Sequence, residues 1–540
     1  MQASTLLRRL VAWRRSSPSA RPTICRQCQR RQLSLSSIPS PARDRHVRAV
    51  ESISSAVRGF HDRNEPFRIS HGSTNSTRPT TNRKNTVDTG PLSNVLHVDP
   101  ASKTALVEPN VPMDRLVEAT LKHGLIPPVV MEFPGITVGG GYAGTSGESS
   151  SFKHGFFNHT INAVEMVLAD GEVLTASPTE HSDLFYGAAG ALGTLGVTTL
   201  VGLQLVPASR YVETTYHPVS SVQQAIDTVR SFTAASNHEY DYVDGILYSP
   251  TSGAVVTGRM SDTTNGHAIQ RFSDAKDPWF YLHVQDTLSR GATVTEATPL
   301  AEYLFRYDRG GFWVGRSAFE YFCFPFTALT RWWLDDFLHT RMLYKALHAS
   351  GQSRRYIVQD LAVPYDKVVE FVSYTNNRFG IWPLWLCPLR QSPVPTMHPH
   401  HVSADGGGQP EMLNVGLWGN CPPGMDYVTV NRELEAKLRD LGAMKWLYAQ
   451  TYYTEDEFWQ MYDRKWYDAL REKYRATGLP SVYDKVRYVP TDEDAGVPLA
   501  EKPLEERLRA AWPVSGLYGI KKAIESRLYV DARKSAWKDM

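Results

Sequence analysis

The residues of this chain that could do chemistry lie first of all in three places where small side chains leave the backbone bare. One is Ser70-His71-Gly72-Ser73-Thr74-Asn75-Ser76-Thr77-Arg78-Pro79, a loop of hydroxyls and amides. The second is Pro134-Gly135-Ile136-Thr137-Val138-Gly139-Gly140-Gly141-Tyr142-Ala143-Gly144-Thr145-Ser146-Gly147, and the third is the series Gly187, Gly190, Gly193 and Gly196. Glycine is needed where main chain must touch a ligand, because no side chain intervenes and exposed amides can then cradle phosphate. Three separated clusters suit an extended dinucleotide better than a mononucleotide. None of them fits a strand-GxGxxG-helix unit with an acid further on, and none fits GxxxxGK[ST], so a Rossmann site is not expected.

A fourth segment, Trp446-Leu447-Tyr448-Ala449-Gln450-Thr451-Tyr452-Tyr453-Thr454-Glu455-Asp456-Glu457-Phe458-Trp459, puts phenols and carboxylates among aromatic rings. Such groups can donate protons, and ring faces can stabilise a developing cation. An aromatic run at this spacing is also what ordinary packing produces. Cysteine offers little: Cys25 and Cys28 form a lone CxxC where zinc needs four ligands, so no metal site is expected. Five cysteines in 540 residues make no disulfide framework and favour a reducing compartment.

The elements that must position these loops can be read from periodicity. Val47, Val50, Ile53 and Val57 have the three-and-four spacing of an amphipathic helix over residues 46–60, and Phe67-Arg68-Ile69 reads as a short strand. Val95 to Val98 and Thr104 to Pro109 alternate like a hairpin, and a helix from Met113 to His123 closes at Gly124. Ala163 to Leu168 and Glu172 to Thr175 flank the tight turn Asp170-Gly171, and the apolar run from Val197 leads to Pro207. Beyond Pro207 the glycine-rich texture ends.

A chain of this length exceeds one hydrophobic core. With 42% hydrophobic residues and a formal net charge of +2, no field favours nucleic acid. The positive charge is concentrated at the start: residues 1–50 hold eleven arginines, no lysine and one acid, Asp44, among many serines. That make-up, with arginines alternating with Leu6, Leu7, Leu10 and Val11, is the composition of a mitochondrial presequence. No apolar run reaches the ~18–20 residues that span a bilayer.

The stretch from Met131-Glu132-Phe133-Pro134 through Gly155, continuing as Val167 to Gly171, Ser182 to Tyr186 and Gly193-Thr194-Leu195-Gly196, resembles the FAD domain of the delta-24-sterol reductases, within the vanillyl-alcohol-oxidase (PCMH-type) superfamily. Tyr307-Asp308-Arg309-Gly310-Gly311, Val358-Gln359-Asp360-Leu361, Pro383 to Pro388 and Glu457-Phe458-Trp459 carry the resemblance further along the chain. It implies an α+β chain: a two-subdomain FAD-binding fold followed by an α+β cap, reducing the carbon 24–25 double bond of a sterol with FAD and NADPH. It implies that Thr137, Val138, Gly139, Gly140, Gly144, Thr145, Glu148 and Ser149 line the flavin, with Gly193 and Gly196 in a later contact. His71, Gly72, Ser73, Thr74, Asn75 and Ser76 would hold the diphosphate. Superfamily members that bind flavin covalently use a histidine where this chain has Ser73, so the flavin is expected to be noncovalent. Membrane association follows from the resemblance, with the endoplasmic reticulum as the alternative to the mitochondrion.

An isolated alkene has no carbonyl to take up electrons, so hydride adds to one carbon only as the other is protonated. Tyr448 is the expected proton donor, with Glu457 as the neighbouring acid. The segment from Phe312 to Leu347, rich in Phe, Trp, Tyr and Arg, is either a bilayer-dipping patch or a buried helix pair of the cap. The expected organisation is a basic segment at 1–44, the FAD-binding domain at 45–208, a cap and C-terminal domain at 209–490 and a tail at 491–540. An oxidase or dehydrogenase of an alcohol, lactone or sugar acid is the competing activity, and a non-catalytic sterol carrier the competing class.

Overall fold

The computed structural model describes residue 33 and residues 38–71, 76, 78, 84–234, 239–392, 394–399, 410–490 and 511–540. Residues 1–32, with the arginine-rich leader and Cys25 and Cys28, lie outside the described residues, and the fold is that of residues 33–540. Helix α1 (Ser40–Asp62) starts earlier than its apolar pattern, with proline in its first turn. It buries Val50, Ile53 and Val57, but Val47 is exposed and His46 takes its place on the inner face. That histidine can be buried because its Nδ1 meets Glu108 Oε1 at 2.9 Å and its Nε2 meets Glu165 Oε1 at 3.2 Å. Burial opposes the imidazolium, yet the two carboxylates prevail and raise its pKa to about 9.

Strands β1 (Arg68–Ser70) and β2 (Thr86–Asp88) pair in parallel on either side of the hydroxyl-rich loop. β3 (Val95–Asp99) and β4 (Thr104–Val107) form the expected hairpin, followed by helix α2 (Met113–Leu121) and the short β5 (Leu125–Ile126). Helix α3 (Val138–Gly144) holds the second glycine cluster. β6 (Ile161–Val167), β7 (Val173–Ala176) and β8 (Val197–Gln204) complete an antiparallel sheet of order β3-β4-β8-β6-β7, and β9 (Val206–Pro207) pairs with β5.

Immediately after Pro207 the chain enters a second antiparallel sheet. It comprises β10 (Tyr211–Val219), β11 (Tyr242–Ser249), β12 (Ser252–Ser261), β13 (Val294–Pro299), β14 (Tyr356–Pro364), β15 (Leu384–Pro388), β16 (Met412–Asn420) and β17 (Met444–Lys445), in the order β13-β10-β12-β11-β15-β16-β14-β17. One face carries an aliphatic core under the helices Val222–Thr233, Val368–Arg378 and Tyr427–Asp440. A separate core is aromatic, built from Phe133 of the first part together with Trp279, Tyr307, Phe312, Trp385 and Trp418 among others.

The two sheets are joined through Ser149, which follows α3. Its carbonyl accepts from Val243 N of β11 at 2.8 Å, and its Oγ accepts from Arg306 Nη2 at 3.2 Å. Arg306 also donates to Asp244 Oδ2 at 2.8 Å and lies over the rings of Tyr303 and Tyr307, 4.0 and 4.8 Å from their centroids. Tyr307 OH and Trp385 Nε1 complete the shell of Asp244 Oδ2 at 2.8 and 3.1 Å. Both charges are buried, so each is tolerable only beside the other.

The described part of the tail packs rather than trails. Gly519 of helix Val514–Glu525 lies so close to Ala346 O that a β-carbon there would be 2.6 Å away. Glu118 of α2 accepts from Ala536 N at 2.6 Å, and Trp537 packs on Phe305. Arg341 reaches Asp114 of α2 with both Nη atoms, at 2.7 and 2.9 Å.

Replacing Arg306 by Met strands Asp244 without its counter-charge. The account predicts a loss of about 3–5 kcal/mol in urea unfolding, the range for breaking one side of a buried pair. A loss below about 1 kcal/mol would show that the pair is not what joins the sheets.

Candidate functional site

Helix α3 begins at Thr137, whose Oγ1 accepts from Gly140 N at 3.1 Å. Its glycines divide by face. A β-carbon on Gly139 would sit 2.7 Å from Pro109 Cβ, and one on Gly141 would sit 2.5 Å from Met131 Cε and 2.8 Å from Phe157 Cδ1. Those two are glycines because protein packs on them, as it does on the fully buried Val138. Among the described residues, a β-carbon on Gly140 would meet only Thr137 Oγ1, at 3.1 Å, and one on Gly144 would meet nothing within 4 Å. Gly140 and Gly144 are about one turn apart, so together they bare a strip of main chain on a single face. A flat ring can lie on such a strip, and in this respect the residues fit a flavin.

The neighbouring expected residues also have protein contacts of their own. Thr145 ends the helix in the left-handed region at φ 50°, and its carbonyl accepts from Trp446 Nε1 at 3.0 Å. Burial pushes the Glu148 carboxyl up, while Ser149 Oγ at 2.6 Å and Ser150 N at 2.9 Å donate to it. Gly196 has φ 149°, and a β-carbon there would strike Val167 O at 2.7 Å. Gly193, at φ 71°, faces Ile69 and the Lys485 ammonium.

Of the first loop, Gly72, Ser73, Thr74 and Asn75 lie outside the described residues, and His71 is exposed. Ser76 Oγ donates to Tyr448 O at 2.8 Å. That contact and the Trp446–Thr145 bond lay the segment after β17 along the glycine-rich part. Tyr448 OH donates to Asp360 Oδ2 at 3.0 Å, and Asn414 Nδ2 donates to Asp360 Oδ1 at 3.0 Å. Burial raises Asp360 to about 6 against the pull of those hydrogen bonds. Burial and the Asp360 charge push the Tyr448 phenol well above its ordinary range. Near this pair Phe133 packs edge-on to Phe312, Tyr344 and Trp418, with centroids 5.7, 6.0 and 5.7 Å away.

Glu457 is placed elsewhere. Its carboxylate accepts from Thr454 N at 2.9 Å, closing the capping box of helix Glu455–Met461, and it pairs with Arg439. The Thr454 backbone bond and then Arg439 hold it below the usual carboxylate range, which keeps it ionised and unsuited to donate a proton. Asp360 was missed as an acid because it stood only inside the Val358–Leu361 motif. Its signal was a lone carboxylate in the apolar strand Tyr356–Pro364. The buried Glu132, also read only as motif, has an Oε1 with no hydrogen-bond partner among the described residues.

Comparison with known proteins agrees with this geometry. A family model described as an FAD binding domain matches residues 41–177. The chain is 31% identical to the Delta(24)-sterol reductase of Homo sapiens over 412 residues, 73% of this chain and 76% of that protein. It is 31% identical over 434 residues to the Delta(24)-sterol reductase of Pisum sativum, covering 74% and 76%. A Delta(24)-sterol reductase homolog of Caenorhabditis elegans is 25% identical over 472 residues, 82% of this chain and 87% of that one.

Replacing Gly144 by Leu tests the bare strip. A β-carbon there meets no described residue within 4 Å, so circular dichroism should match the parent while flavin absorbance after gel filtration is lost. Full flavin occupancy in that variant would remove the strip from the cofactor site.

Proposed function

The chain belongs to the Delta(24)-sterol reductase family, and from that premise we propose that it reduces the carbon 24–25 double bond of a sterol side chain, using FAD with NADPH as the electron source. The part up to about residue 208 carries the flavin, and the part beyond it shapes the sterol space. The observation that carries the reading is the Tyr448–Asp360 pair, held against the glycine-rich part by the Trp446–Thr145 and Ser76–Tyr448 bonds. Bound flavin supplies the hydride.

The chain's own task is the proton. When Asp360 is ionised, its carboxylate holds the phenolic proton of Tyr448, and a phenol pushed upward by burial and by that charge gives its proton up poorly. When Asp360 is protonated, it can return a proton to the phenolic oxygen as Tyr448 releases its own toward the alkene. The productive form is the protonated one, so sterol turnover falls as pH rises through the Asp360 pKa, about 6 in the free protein. The rings of Phe133, Phe312, Trp385 and Trp418 form an apolar wall, and their faces can stabilise a tertiary cation developing on the side chain.

Membrane contact is part of the proposal. Phe324, Leu329, Trp332, Trp333, Trp512 and Leu517 are exposed, and they come from two segments that Trp512 Nε1 ties together by donating to Tyr321 O at 2.7 Å. An exposed apolar patch of this kind supports docking on a bilayer surface. The cap reading of residues 312–347 holds for Phe312, Trp313, Phe319, Leu338 and Met342, which are buried. No helix among the described residues is long and apolar enough to cross a membrane. The arginine-rich residues 1–50 support a mitochondrial address.

Two outcomes are expected. Tyr448→Phe should leave bleaching of the flavin by NADPH intact and cut sterol turnover roughly a hundredfold to ten-thousandfold, and Asp360→Asn should flatten the decline of turnover above pH ~6. Unchanged turnover in Tyr448→Phe would reject it as the donor. Separately, Trp332→Ser with Trp333→Ser should abolish flotation with phosphatidylserine vesicles, and undiminished flotation would reject the patch.

A further inference from the structure

On the far side of the Tyr448 backbone from Asp360, three cations converge on the first loop. Arg78 Nη1 donates to Lys485 O at 3.1 Å, and Arg78 Nε donates to Ser76 Oγ at 3.0 Å. Lys485 Nζ donates to Leu192 O at 2.8 Å, and a β-carbon on Gly193 would lie 3.9 Å from it. Arg68 belongs to β1, next to the Ile69 that packs on Gly193. Among the described residues no carboxylate forms an ion pair with any of the three, and the loop 70–83 contains no acid. Burial and then the charges of Arg78 and Arg68 lower Lys485 to about 7, and burial and then Arg68 lower Arg78 to about 10.

Buried cations in proteins are paired with anions, and like charges brought together without one destabilise the fold. The surroundings specify the anion. The cluster is bordered by the Ser76 hydroxyl and by the main chain at Gly193, which lies in the left-handed region that suits an anion-binding concavity. It also adjoins α3, since Leu192, whose carbonyl accepts from Lys485, donates its N–H to Ala143 O of that helix at 3.2 Å. A compact anion with two charges, attached to something that extends toward α3, matches this place.

We propose that Arg78 and Lys485, supported by Arg68, bind the diphosphate of a dinucleotide by side-chain charge. The assignment rests on the flavin reading above, and the diphosphate belongs either to FAD or to NADPH. Arg78 offers a planar fork that can meet two phosphate oxygens, and Lys485 a point charge that an adjacent anion would keep protonated at neutral pH. Residues more than four hundred positions apart in sequence would thereby close on one ligand, making the C-terminal helix Val482–Val486 and its flank part of the cofactor site.

The test uses the full-length protein and the variants Lys485→Met, Lys485→Arg, Arg78→Met and Arg78→Lys, with circular dichroism as the folding control. FAD and riboflavin, which lacks phosphate, are titrated into flavin-stripped protein by fluorescence quenching, and KM for NADPH is measured on reconstituted protein. Each Met variant should weaken FAD at least tenfold with riboflavin affinity unchanged, and the charge-conserving variants should recover most of it. A tenfold rise in KM for NADPH with FAD affinity unchanged would support the proposal and assign the diphosphate to the nicotinamide dinucleotide. Unchanged affinity for both, or equal loss of FAD and riboflavin, would overturn it. Should the Met variants fail to fold, inorganic pyrophosphate must compete with FAD for the wild-type protein, and no competition against either dinucleotide overturns the proposal equally. A wild-type protein that binds neither FAD nor riboflavin would instead refute the flavin reading itself.

Discussion

Arg306 and Asp244 are buried together in a place where neither could stay alone. Leaving either unpaired would cost several kcal/mol, so the three partners of Asp244 and the three rings around Arg306 are constrained to one arrangement. The constraint matters because Ser149, one turn past the glycine helix, is part of it. Whatever lies on the Gly140–Gly144 strip is therefore held at a fixed offset from β11 and from the aromatic wall. Catalysis by positioned groups needs that kind of rigidity, because a proton donor and a hydride donor must act on adjacent carbons of one bond.

A second consequence is the electrostatic character of the site. Glu132 and Glu148 are buried and Asp360 is half-buried near them, and desolvation raises the pKa of each. Across the Tyr448 main chain lie Arg78, Lys485 and Arg68, where burial and then like charge lower Lys485 and Arg78. Acids with raised pKa values face one side, and the other side holds cations with no carboxylate partner among the described residues.

Much of this was legible in the sequence. The hairpin of β3 and β4, the tight turn between β6 and β7 and the long strand β8 followed from alternation and from Asp170-Gly171, because local pattern and tertiary burial agree there. The same pattern misled at Val47, where a buried ion pair let His46 take the inner position, a choice that hydropathy cannot reveal. Tyr448 could be singled out, but its partner Asp360 could not, since the two are brought together by strand order rather than by spacing. Glu457 sits in a capping box with Thr454 three residues earlier, a local role that the spacing also makes readable. The glycines of α3 looked alike in sequence, and only packing separates Gly139 and Gly141, which touch protein, from Gly140 and Gly144, which do not.

The central claim is that electrons stored on this protein pass to a sterol alkene. Its most direct test is anaerobic stopped-flow mixing of dithionite-reduced, flavin-loaded protein with a sterol bearing a 24–25 double bond, followed by product mass. The account predicts that flavin absorbance returns in step with formation of one saturated side chain per flavin. Flavin that stays reduced with the sterol yet reoxidises rapidly on admission of oxygen would contradict it and favour an oxidase.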